Sequence, residues 1–262
     1  MKMIKCIKCD WTTIENDVRN YLEKNNITID SFWEDHVLNS NHYQFVCDDE
    51  PVGFFAIHNQ SMITLFHVNE YHANHGQLLF AKIKQFEQVT NAFVATGDEF
   101  FMSHCLDNFA RIEKQAYFSI YTDKPLKSAY EHDLTLREAK SVEDTELFAL
   151  TTDFFNDGSV ERVLEGDEYF KIYLVEEHGQ LVGFGVVEYS RIVPTIGSTG
   201  MYVLEDKRQQ GYAAYILKNL QHVVESKGRR ARSGCWYYNH NSKKSMESAG
   251  AYSKTRLIRF YF

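Results

Sequence analysis

A short turn in the second half of the chain has the composition of an anion site. The turn, RQQGYA at residues 208–213, lies between an apolar run that ends at Val203 and a segment with helical periodicity. At such a strand-to-helix turn several backbone N–H groups point at one spot, at the positive end of the helix dipole. Gly211 lets the backbone approach a ligand closely, and Ala213 is too small to block the floor. The turn therefore predicts a phosphate or diphosphate site, to which Arg208 can add charge.

The elements that must position this turn follow from the spacing of apolar residues. Alternation predicts strands and a spacing of three or four predicts helices. In chain order the predicted elements are a strand in LTLREA near residue 134, strands at about 171–176, 181–189 and 196–203, a helix at about 211–226, a strand through 235–237, a helix at about 242–249 and a last strand TRLIRFYF. Their order predicts an α/β (α+β) unit with a mixed, mostly antiparallel twisted sheet flanked by helices.

One further helix is predicted from a capping signal. Ser141 and Asp144 resemble a capping box, which would open a helix with Leu147, Leu150 and Phe154 on one face.

The chain contains a weak internal repeat. Val-Gly-Phe occurs at 52–54 and at 182–184, each time within an alternating apolar run. A second run then ends at Val68 or Val203, and a glycine follows eight residues later, Gly76 or Gly211. The pairs Ala116-Tyr117 and Ala251-Tyr252 stand at the same offset. Coincidental matching of common apolar patterns is the alternative, but three spaced anchors favour two copies of one unit.

The repeat predicts two domains, residues 1–126 and 133–262. The polar, proline-containing stretch YTDKPLKSAYEHD between them is the best linker candidate. In the first copy Ile14, Val18 and Leu22 recur every four residues, which predicts an amphipathic helix, and a second helical stretch follows at about 31–37.

Two motifs of the second half resemble those of a known superfamily. Val203, Arg208, Gly211 and Ala213 resemble the acyl-CoA signature of the GNAT superfamily of N-acetyltransferases, V-x-x-x-x-[RQ]-x-x-G-x-[GA]. The stretch from Asn239 and Ser242 to Gly250-Ala251 resembles that superfamily's second motif, in which an aromatic residue usually stands where Ala251 does. The resemblance covers roughly residues 134–262.

The resemblance implies that the chain uses acetyl-CoA as cosubstrate. The strands that end near Val203 and Tyr238 would splay apart around the pantetheine arm, a backbone N–H near Val203 would stabilise the developing oxyanion, and the amine would attack the thioester directly. The implied cosubstrate-binding residues are Met201, Tyr202, Val203, Arg208, Gln209, Gln210, Gly211, Tyr212, Ala213, Asn239 and Ser242. For Asn239, capping of the following helix is an equal alternative, and the two roles can coexist.

The acid and base are not given by the resemblance. Many members have a tyrosine seven residues after the motif asparagine, where this chain has Met246, and the run 196–203 lacks the glutamate that other members carry. Candidates instead are Glu188, Tyr238 and Tyr252, with Tyr202 also near the expected cleft. The alternative role for Glu188 is that of a solvated carboxylate at a strand end, and for the tyrosines it is aromatic packing. Proximity of the amine to the thioester can by itself carry much of an aminolysis, so a missing side-chain base does not exclude activity.

The first copy is expected to be a degenerate GNAT-like domain that binds no CoA. Where the second copy has Arg208, Ala213 and Asn239, the first copy has Ala73, Leu78 and His104. These changes remove charge and narrow the predicted anion site. This half is expected to supply structure or one wall of the substrate site. Its polar stretch ATGDEFFMSHC, residues 95–105, is the candidate to face that site, but a loop solvated by its own carboxylates is the favoured interpretation.

Composition limits the classes of partner. A net charge of -8 argues against nucleic acid, which is bound mainly through clustered Lys and Arg. The one basic cluster, KGRRAR at 227–232, is interpreted as a solvated helix end, with an anionic cofactor tail as the alternative. No apolar leader or membrane span is evident, and five cysteines, an odd number, favour reduced thiols in the cytosol. Cys6 and Cys9 form a CxxC without the further ligands of a zinc site, so no metal is expected.

These observations predict an N-acetyltransferase that acts on a primary amine of a small molecule. A non-catalytic acyl-CoA-binding or sensor protein is the alternative, favoured by Met246. Aminoacyl transfer from tRNA is a third, disfavoured by the lack of a basic face. Neither nucleic acid nor a membrane is expected as partner, and a homodimer is left open.

Overall fold

The chain forms two compact units in the computed structural model. The structure describes residues 4–86, 88–152 and 154–262. Unit 1 contains the residues up to Ala116 together with Thr255–Phe262, and unit 2 contains Tyr117–Lys254. The domain limits predicted from sequence, 1–126 and 133–262, stay a prediction, but the compact units divide the chain elsewhere: the last strand of the chain belongs to unit 1 from Thr255 onward.

The elements are as follows. In the first half they are β1 (Lys5–Cys9), α1 (Trp11–Lys24), α2 (Ser31–Leu38), β2 (Ser40–Cys47), β3 (Glu50–His58), β4 (Met62–Val68), a 3-10 helix (Glu70–His75), α3 (Gly76–Lys84), β5 (Asn91–Ala95), α4 (Glu99–Leu106) and β6 (Arg111–Tyr121). In the second half they are β7 (Thr135–Glu138), α5 (Val142–Glu146), a 3-10 helix (Leu147–Thr151), α6 (Asp157–Leu164), β8 (Phe170–Glu177), β9 (Gln180–Tyr189), β10 (Ile196–Val203), a 3-10 helix (Glu205–Lys207), α7 (Tyr212–Glu225), β11 (Arg230–Trp236), α8 (His240–Ser248) and β12 (Ala251–Tyr261).

Each unit has a mixed sheet in which antiparallel pairs dominate. The strand order is β1-β2-β3-β4-β5-β12 in unit 1 and β6-β11-β10-β9-β8-β7 in unit 2. The pairs from β1 to β4 and from β7 to β10 are antiparallel. The pairs β4–β5 and β10–β11 are parallel. The predicted fold class, two tandem units of mostly antiparallel sheet with helices, is therefore confirmed.

The core of unit 2 has a layer on each face of its sheet. On one face, Ile216, Leu220 and Val224 of α7 pack against β9 and β11. On the other face, Phe148 and Phe155 pack on Phe184 of β9. Full burial of such a side chain stabilises the fold by about 1.5–3 kcal/mol. The sheet thus lies between α7 on one side and the segment from α5 to α6 on the other. The face of the sheet that this segment covers is called here the α6 face.

Two glycines confirm that the repeat is structural. Gly53 lies opposite Val68 and Gly183 opposite Val203 in the two antiparallel pairs. A Cβ atom built on either glycine would lie 2.2 Å from a carbonyl oxygen of the neighbouring strand. Both copies therefore bring two backbones together at the same place.

Two expectations from the sequence are wrong in detail, and a third is confirmed. The helix predicted with Leu147, Leu150 and Phe154 on one face ends at Glu146, and Leu150 and Phe154 are exposed because the chain continues as a 3-10 helix that buries Phe148 instead. The third repeat anchor fails because Ala116 lies in the middle of β6 and Ala251 at the start of β12. The predicted capping box at Ser141 and Asp144 is present.

Two general features bear on the kind of protein. Every helix in the described part of the chain is too short or too polar to cross a membrane. No cluster of three or more His, Cys, Asp or Glu side chains among those residues could hold a metal ion.

Candidate functional site

The turn between β10 and α7 presents unpaired amides. Gln209 and Gly211 both have positive φ, +63° and +86°, so the backbone of the turn curves around its own N–H groups. Within the described residues no acceptor is bonded to the N–H groups of Gln209 through Ala213. These five donors at the N-terminus of a 14-residue helix form an anion-binding nest. The name "nest" is used below for residues 208–213.

The side chains of the nest point away from these amides. Arg208 donates from Nε to the Val203 carbonyl at 3.2 Å and from Nη2 to the Tyr202 hydroxyl at 3.3 Å. Gln210 donates to the Asp206 carbonyl at 3.2 Å. The guanidinium of Arg208 thus lies folded over the end of β10, half exposed, where it still adds positive charge beside the nest.

Tyr212 anchors the first turn of α7. Its hydroxyl donates to Glu177 Oε2 at 2.6 Å, at the end of β8. This hydrogen bond lowers the pKa of Glu177 and raises the pKa of Tyr212 to about 12. The ring of His132 stacks on Tyr212, with 4.0 Å between the ring centroids. Nε2 of His132 lies 2.6 Å from the Gln210 carbonyl oxygen. Contacts with Glu177 and His132 therefore fix the conformation of the nest.

The segment predicted as a linker is part of this site. Residues 122–133, called here the crossing segment, run along α8 and α7: the Lys127 amide donates to Ser248 at 2.9 Å, and Leu126 packs on residues of both helices. Further on, the Tyr215 hydroxyl donates to the Tyr130 carbonyl at 2.6 Å. A Cβ on Gly211 would lie 2.9 Å from Ser128 Oγ and 3.2 Å from the Tyr130 ring. The crossing segment thus supports the outer side of the nest and leaves its amides unpaired.

Next to the nest, β10 and β11 part. Their parallel pairing runs from Ile196↔Arg230 to Thr199↔Ser233 and ends there. Beyond this point, called here the fork, Gly200–Val203 keeps its pairing with β9 only. The edge of β10 that carries Met201 and Val203 therefore has no pairing with β11, and the cleft that the resemblance implies at this edge stays a prediction. Met201 itself packs into the apolar clusters around α7, and Val203 is buried.

The second motif caps α8. Asn239 Oδ1 accepts from the Ser242 amide at 3.0 Å, which confirms the capping role of the asparagine; its contact with a cosubstrate stays a prediction. Met246, which stands where many superfamily members have tyrosine, is buried against α7. A proton donor for a thiolate cannot come from that position.

The three candidate acid–base residues have different surroundings. Glu188 is ion-paired with Arg162 of α6 at 2.7 Å. Tyr238 is half exposed, and its ring lies against Trp236 and Tyr237. Tyr252 is half exposed and interacts electrostatically with Arg232. The structure therefore does not gather these three side chains into one cluster.

Unit 1 lacks an open nest. The residues after β4 form a 3-10 helix in which Asn69 accepts from His72 and the Gly76 amide bonds to Ala73. Gly76 is right-handed, with φ −51°, and a Cβ on it would lie 2.3 Å from His104 Nε2. The N–H groups of this turn are thus bonded within the turn, and His104 of α4 lies over Gly76.

The counterpart of Asn239 in unit 1 is Asp98, not His104. Both residues cap the helix after the parallel strand: Asp98 Oδ1 accepts from Phe101 at 3.0 Å. The sequence offset misplaces it because the stretch before α4 is shorter. Asp98 also accepts from the Tyr21 hydroxyl at 2.5 Å, and burial raises the pKa of this carboxyl to about 6. The Tyr21 ring lies against His67 of β4, with 4.1 Å between the ring centroids, so Tyr21 packs beside the end of that strand.

Asp98 should make stability depend on pH. The pKa of Asp98 is about 6 in the folded protein, above its value in the unfolded chain. The contribution of this carboxyl to the free energy of unfolding is therefore complete below about pH 4 and is lost as the pH rises through 6. Asp98→Asn should therefore gain about 2–3 kcal/mol of stability relative to the parent between pH 4 and pH 7. Urea unfolding at a series of pH values measures this difference.

Tyr21→Phe is the matched control for that prediction. It keeps the carboxyl but removes the hydrogen bond that lowers its pKa, so the pH at which stability is lost should move upward. A difference between Asp98→Asn and the parent that does not change with pH would refute the role given to this carboxyl.

Some residues of the site were not identified from the sequence. The crossing-segment residues Ser128, Tyr130 and His132 lack any periodic signal. Arg162 lies on α6, which was not predicted. Arg232 belongs to the basic cluster that was interpreted as a helix end, whereas Arg230 and Arg232 lie on β11. The alternation of small residues at 231, 233 and 235 is the signal that could have placed Arg232 on a strand.

Comparison with known proteins agrees with this geometry. Residues 10–122 match the model of the family described as acetyltransferase (GNAT) domain. The matched range lies in the first half of the chain, where the motifs are least recognisable. No curated protein matches the sequence.

Solved structures share the fold over the whole chain. A GNAT-family acetyltransferase from Colwellia psychrerythraea is similar with a TM-score of 0.83 at 21% identity, covering 99% of each chain. A tandem GNAT protein from the clavulanic acid biosynthesis pathway has a TM-score of 0.65 at 11% identity, covering 99% of this chain and 98% of its own. A GCN5-related N-acetyltransferase from Sphaerobacter thermophilus has a TM-score of 0.64 at 13% identity, covering 98% and 95%. The chain therefore has the fold of a tandem GNAT protein, and residues 10–122 match the family model of a GNAT acetyltransferase domain.

Proposed function

We propose that the protein is an N-acetyltransferase that transfers the acetyl group of acetyl-CoA to a primary amine of a small molecule, and that unit 2 binds the cosubstrate. The observation that carries the proposal is the set of five unpaired amides at Gln209 through Ala213, directly after the strand that parts from β11. Backbone donors at a helix N-terminus suit the diphosphate of such a cosubstrate.

The residues of unit 2 would divide the work as follows. The nest amides hold the diphosphate, with Arg208 adding charge from the end of β10. The unpaired edge of β10 at Met201 and Val203 offers backbone groups to the arm, and the carboxamide of Asn239 stands across the fork at the start of α8. Acetyl-CoA supplies an activated acyl group: the amine nitrogen bonds to the acyl carbon, the carbon–sulfur bond breaks, the amine loses a proton, and the CoA thiolate takes up a proton and leaves as the free thiol.

Proton transfer is proposed for the side chains already named. Glu188, Tyr238 and Tyr252 stay the candidates, and Met246 is excluded because it is buried among apolar side chains. Solvent can relay the proton at a site this open, so a positioned amine needs no strong base.

Release of CoA tests the proposal. The intact protein is mixed with acetyl-CoA and a panel of amino sugars, polyamines, amino acids and aminoglycosides, and free thiol is measured while mass spectrometry detects the acetylated amine. Acetylation of at least one class is expected. Tight acetyl-CoA binding without release of CoA across the panel would favour the alternative, a non-catalytic acyl-CoA-binding protein.

We also propose a reducing cellular location, the cytoplasm. All five cysteines are free: Cys6, Cys9, Cys47, Cys105 and Cys235. Burial raises the pKa of Cys105 and Cys6, so these thiols are held in their protonated form.

A further inference from the structure

A row of three polar side chains crosses the α6 face of the unit 2 sheet. Glu188 of β9 lies opposite Ser198 of β10, and Ser198 lies opposite Arg232 of β11. Neighbouring strands are about 4.8 Å apart, so the row spans about 10 Å. Arg232 lies on this face because its neighbours Ala231 and Ser233 face α7: Ala231 packs against α7, and Ser233 bonds to Thr199 and Tyr121.

Arg232 is a half-buried cation without a counter-charge. Its Nε is buried and has no hydrogen-bond partner, and Nη1 donates only to the Ala231 carbonyl at 2.9 Å. No carboxylate of the described residues pairs with it. Burial lowers the pKa of Arg232 to about 10, and the charge of Arg230 lowers it further. An unpaired polar group of this kind costs stability, so its presence needs a reason other than folding.

The surroundings of Arg232 make the local charge positive. Arg230, two residues earlier on the same strand face, bonds to the neutral hydroxyl of Thr195 at 3.2 Å. The carboxylate at the other end of the row, Glu188, is held by Arg162 at 2.7 Å. In a chain of net charge -8, this face of β11 therefore has two cations and no anion bonded to them within the described residues. A guanidinium group binds a carboxylate through two parallel hydrogen bonds, which gives both energy and a defined geometry.

Arg232 also lies beside the fork. The pairing of β10 with β11 ends at Thr199↔Ser233, and Arg232 is the residue just before that end. An anion on Arg232 would be only a few ångströms from the place where β10 exposes its unpaired edge. If the acyl group is presented at that edge, as the proposed function requires, an amine joined to the bound anion by a short chain would meet it.

We propose that Arg232 binds the carboxylate of the acceptor, so that the amine acetylated by unit 2 is that of a small amino acid. Ser198, next to Arg232 in the row, forms part of the floor of this subsite. The inference rests on the proposed function for the identity of the reaction, but the carboxylate site itself does not depend on turnover.

Matched acceptors and variants test the proposal. Each amino acid is compared with its amide, for example glycine with glycinamide and β-alanine with its amide, by initial rates of CoA release. The wild type should favour the acids. Arg232→Gln should lower kcat/KM for the acids by roughly 10- to 100-fold, the worth of a charged hydrogen bond. The amides should change by less than about 3-fold, since they form no such bond.

Two further variants keep the result interpretable. Arg230→Gln removes a cation from the same strand face and should have a much smaller effect, because Arg230 is exposed and already bonded to Thr195. Arg232→Lys keeps the charge but loses the planar guanidinium group, so it should give an intermediate loss of kcat/KM, and for the acids only. If Arg232→Gln does not fold, as judged by its thermal transition, Arg232→Lys carries the test.

Binding without turnover separates this inference from the proposed function. N-acetylglycine is titrated into the wild type and Arg232→Gln by calorimetry, with N-acetylglycinamide as control. Binding of the acid that Arg232→Gln abolishes, with no CoA release from any amine, would refute the acetyltransferase and leave the carboxylate site standing. Equal rates for acids and amides, an equal loss for both in Arg232→Gln, or no binding of the acid would overturn the inference.

Discussion

Replacing Ala213 with aspartate should weaken acetyl-CoA binding by about 100-fold, which is about 2.7 kcal/mol. Ala213 is the second residue of α7 and its amide is one of the five unpaired donors of the nest. A carboxylate there would repel the diphosphate and compete for the same amides. The fold should survive, because an acidic residue in the first turn of a helix is favourable. Calorimetry with acetyl-CoA measures the affinity, and thermal unfolding checks the fold.

Leu78→Asp is the matched control in unit 1. Leu78 stands at the corresponding place in α3 and is 57% exposed, so the same charge enters the same turn of a closed nest. Acetyl-CoA affinity should not change. Loss of binding in Leu78→Asp but not in Ala213→Asp would place the cosubstrate in unit 1 and refute the assignment made here.

A substitution at Ala213 tests diphosphate binding more specifically than one at Gly211. Gly211 has φ +86°, and a Cβ there would lie 2.9 Å from Ser128 Oγ. Gly211→Val would therefore disturb both the backbone and the crossing segment, and a loss of binding would not report on the diphosphate alone. Gly76→Val is no neutral control either, because its Cβ would lie 2.3 Å from His104 Nε2.

Gly183→Ala should destabilise the protein by about 3 kcal/mol or more. Its Cβ would lie 2.2 Å from the Tyr202 carbonyl oxygen and 3.1 Å from Val203 Cα, both backbone atoms of the paired strand. Neither can move without breaking the pairing of β9 with β10. The same change at Gly53, against the His67 carbonyl, should have a similar cost if the two units are true repeats. Urea unfolding followed by circular dichroism measures both.

Gly200→Ala is the control for that loss. It lies on β10 itself, but its Cβ would meet only Val186 at 3.7 Å, an ordinary contact. Its stability should change by less than about 1 kcal/mol. A Gly183→Ala protein as stable as Gly200→Ala would contradict the close backbone approach described here.

The elements around the nest could be predicted from the sequence because their apolar residues recur at the spacing of a strand or of a helix. The run 196–203 was predicted and found as β10, and α7 differs from its prediction by one residue at each end. Burial on one face dictates such patterns, so they survive in the sequence. The amphipathic helix of Ile14, Val18 and Leu22 was found for the same reason.

Features that depend on contacts far along the chain could not be predicted in this way. The crossing segment is polar and aperiodic, and nothing local shows that Tyr130 meets Gly211 or that His132 stacks on Tyr212. The equivalence of Asp98 with Asn239 depends on counting from helix starts, which a fixed offset cannot do. Arg232 lies between these cases, because its alternation was present but the cluster of charges around it suggested a helix end.

Titration of acetyl-CoA into the intact protein is the most direct test of the central claim, that the nest of unit 2 is open and that of unit 1 is closed. One binding site per chain is predicted, because the amides of Gln209 through Ala213 are unpaired whereas the turn before α3 is bonded within itself. Two sites per chain, or none, would contradict the account.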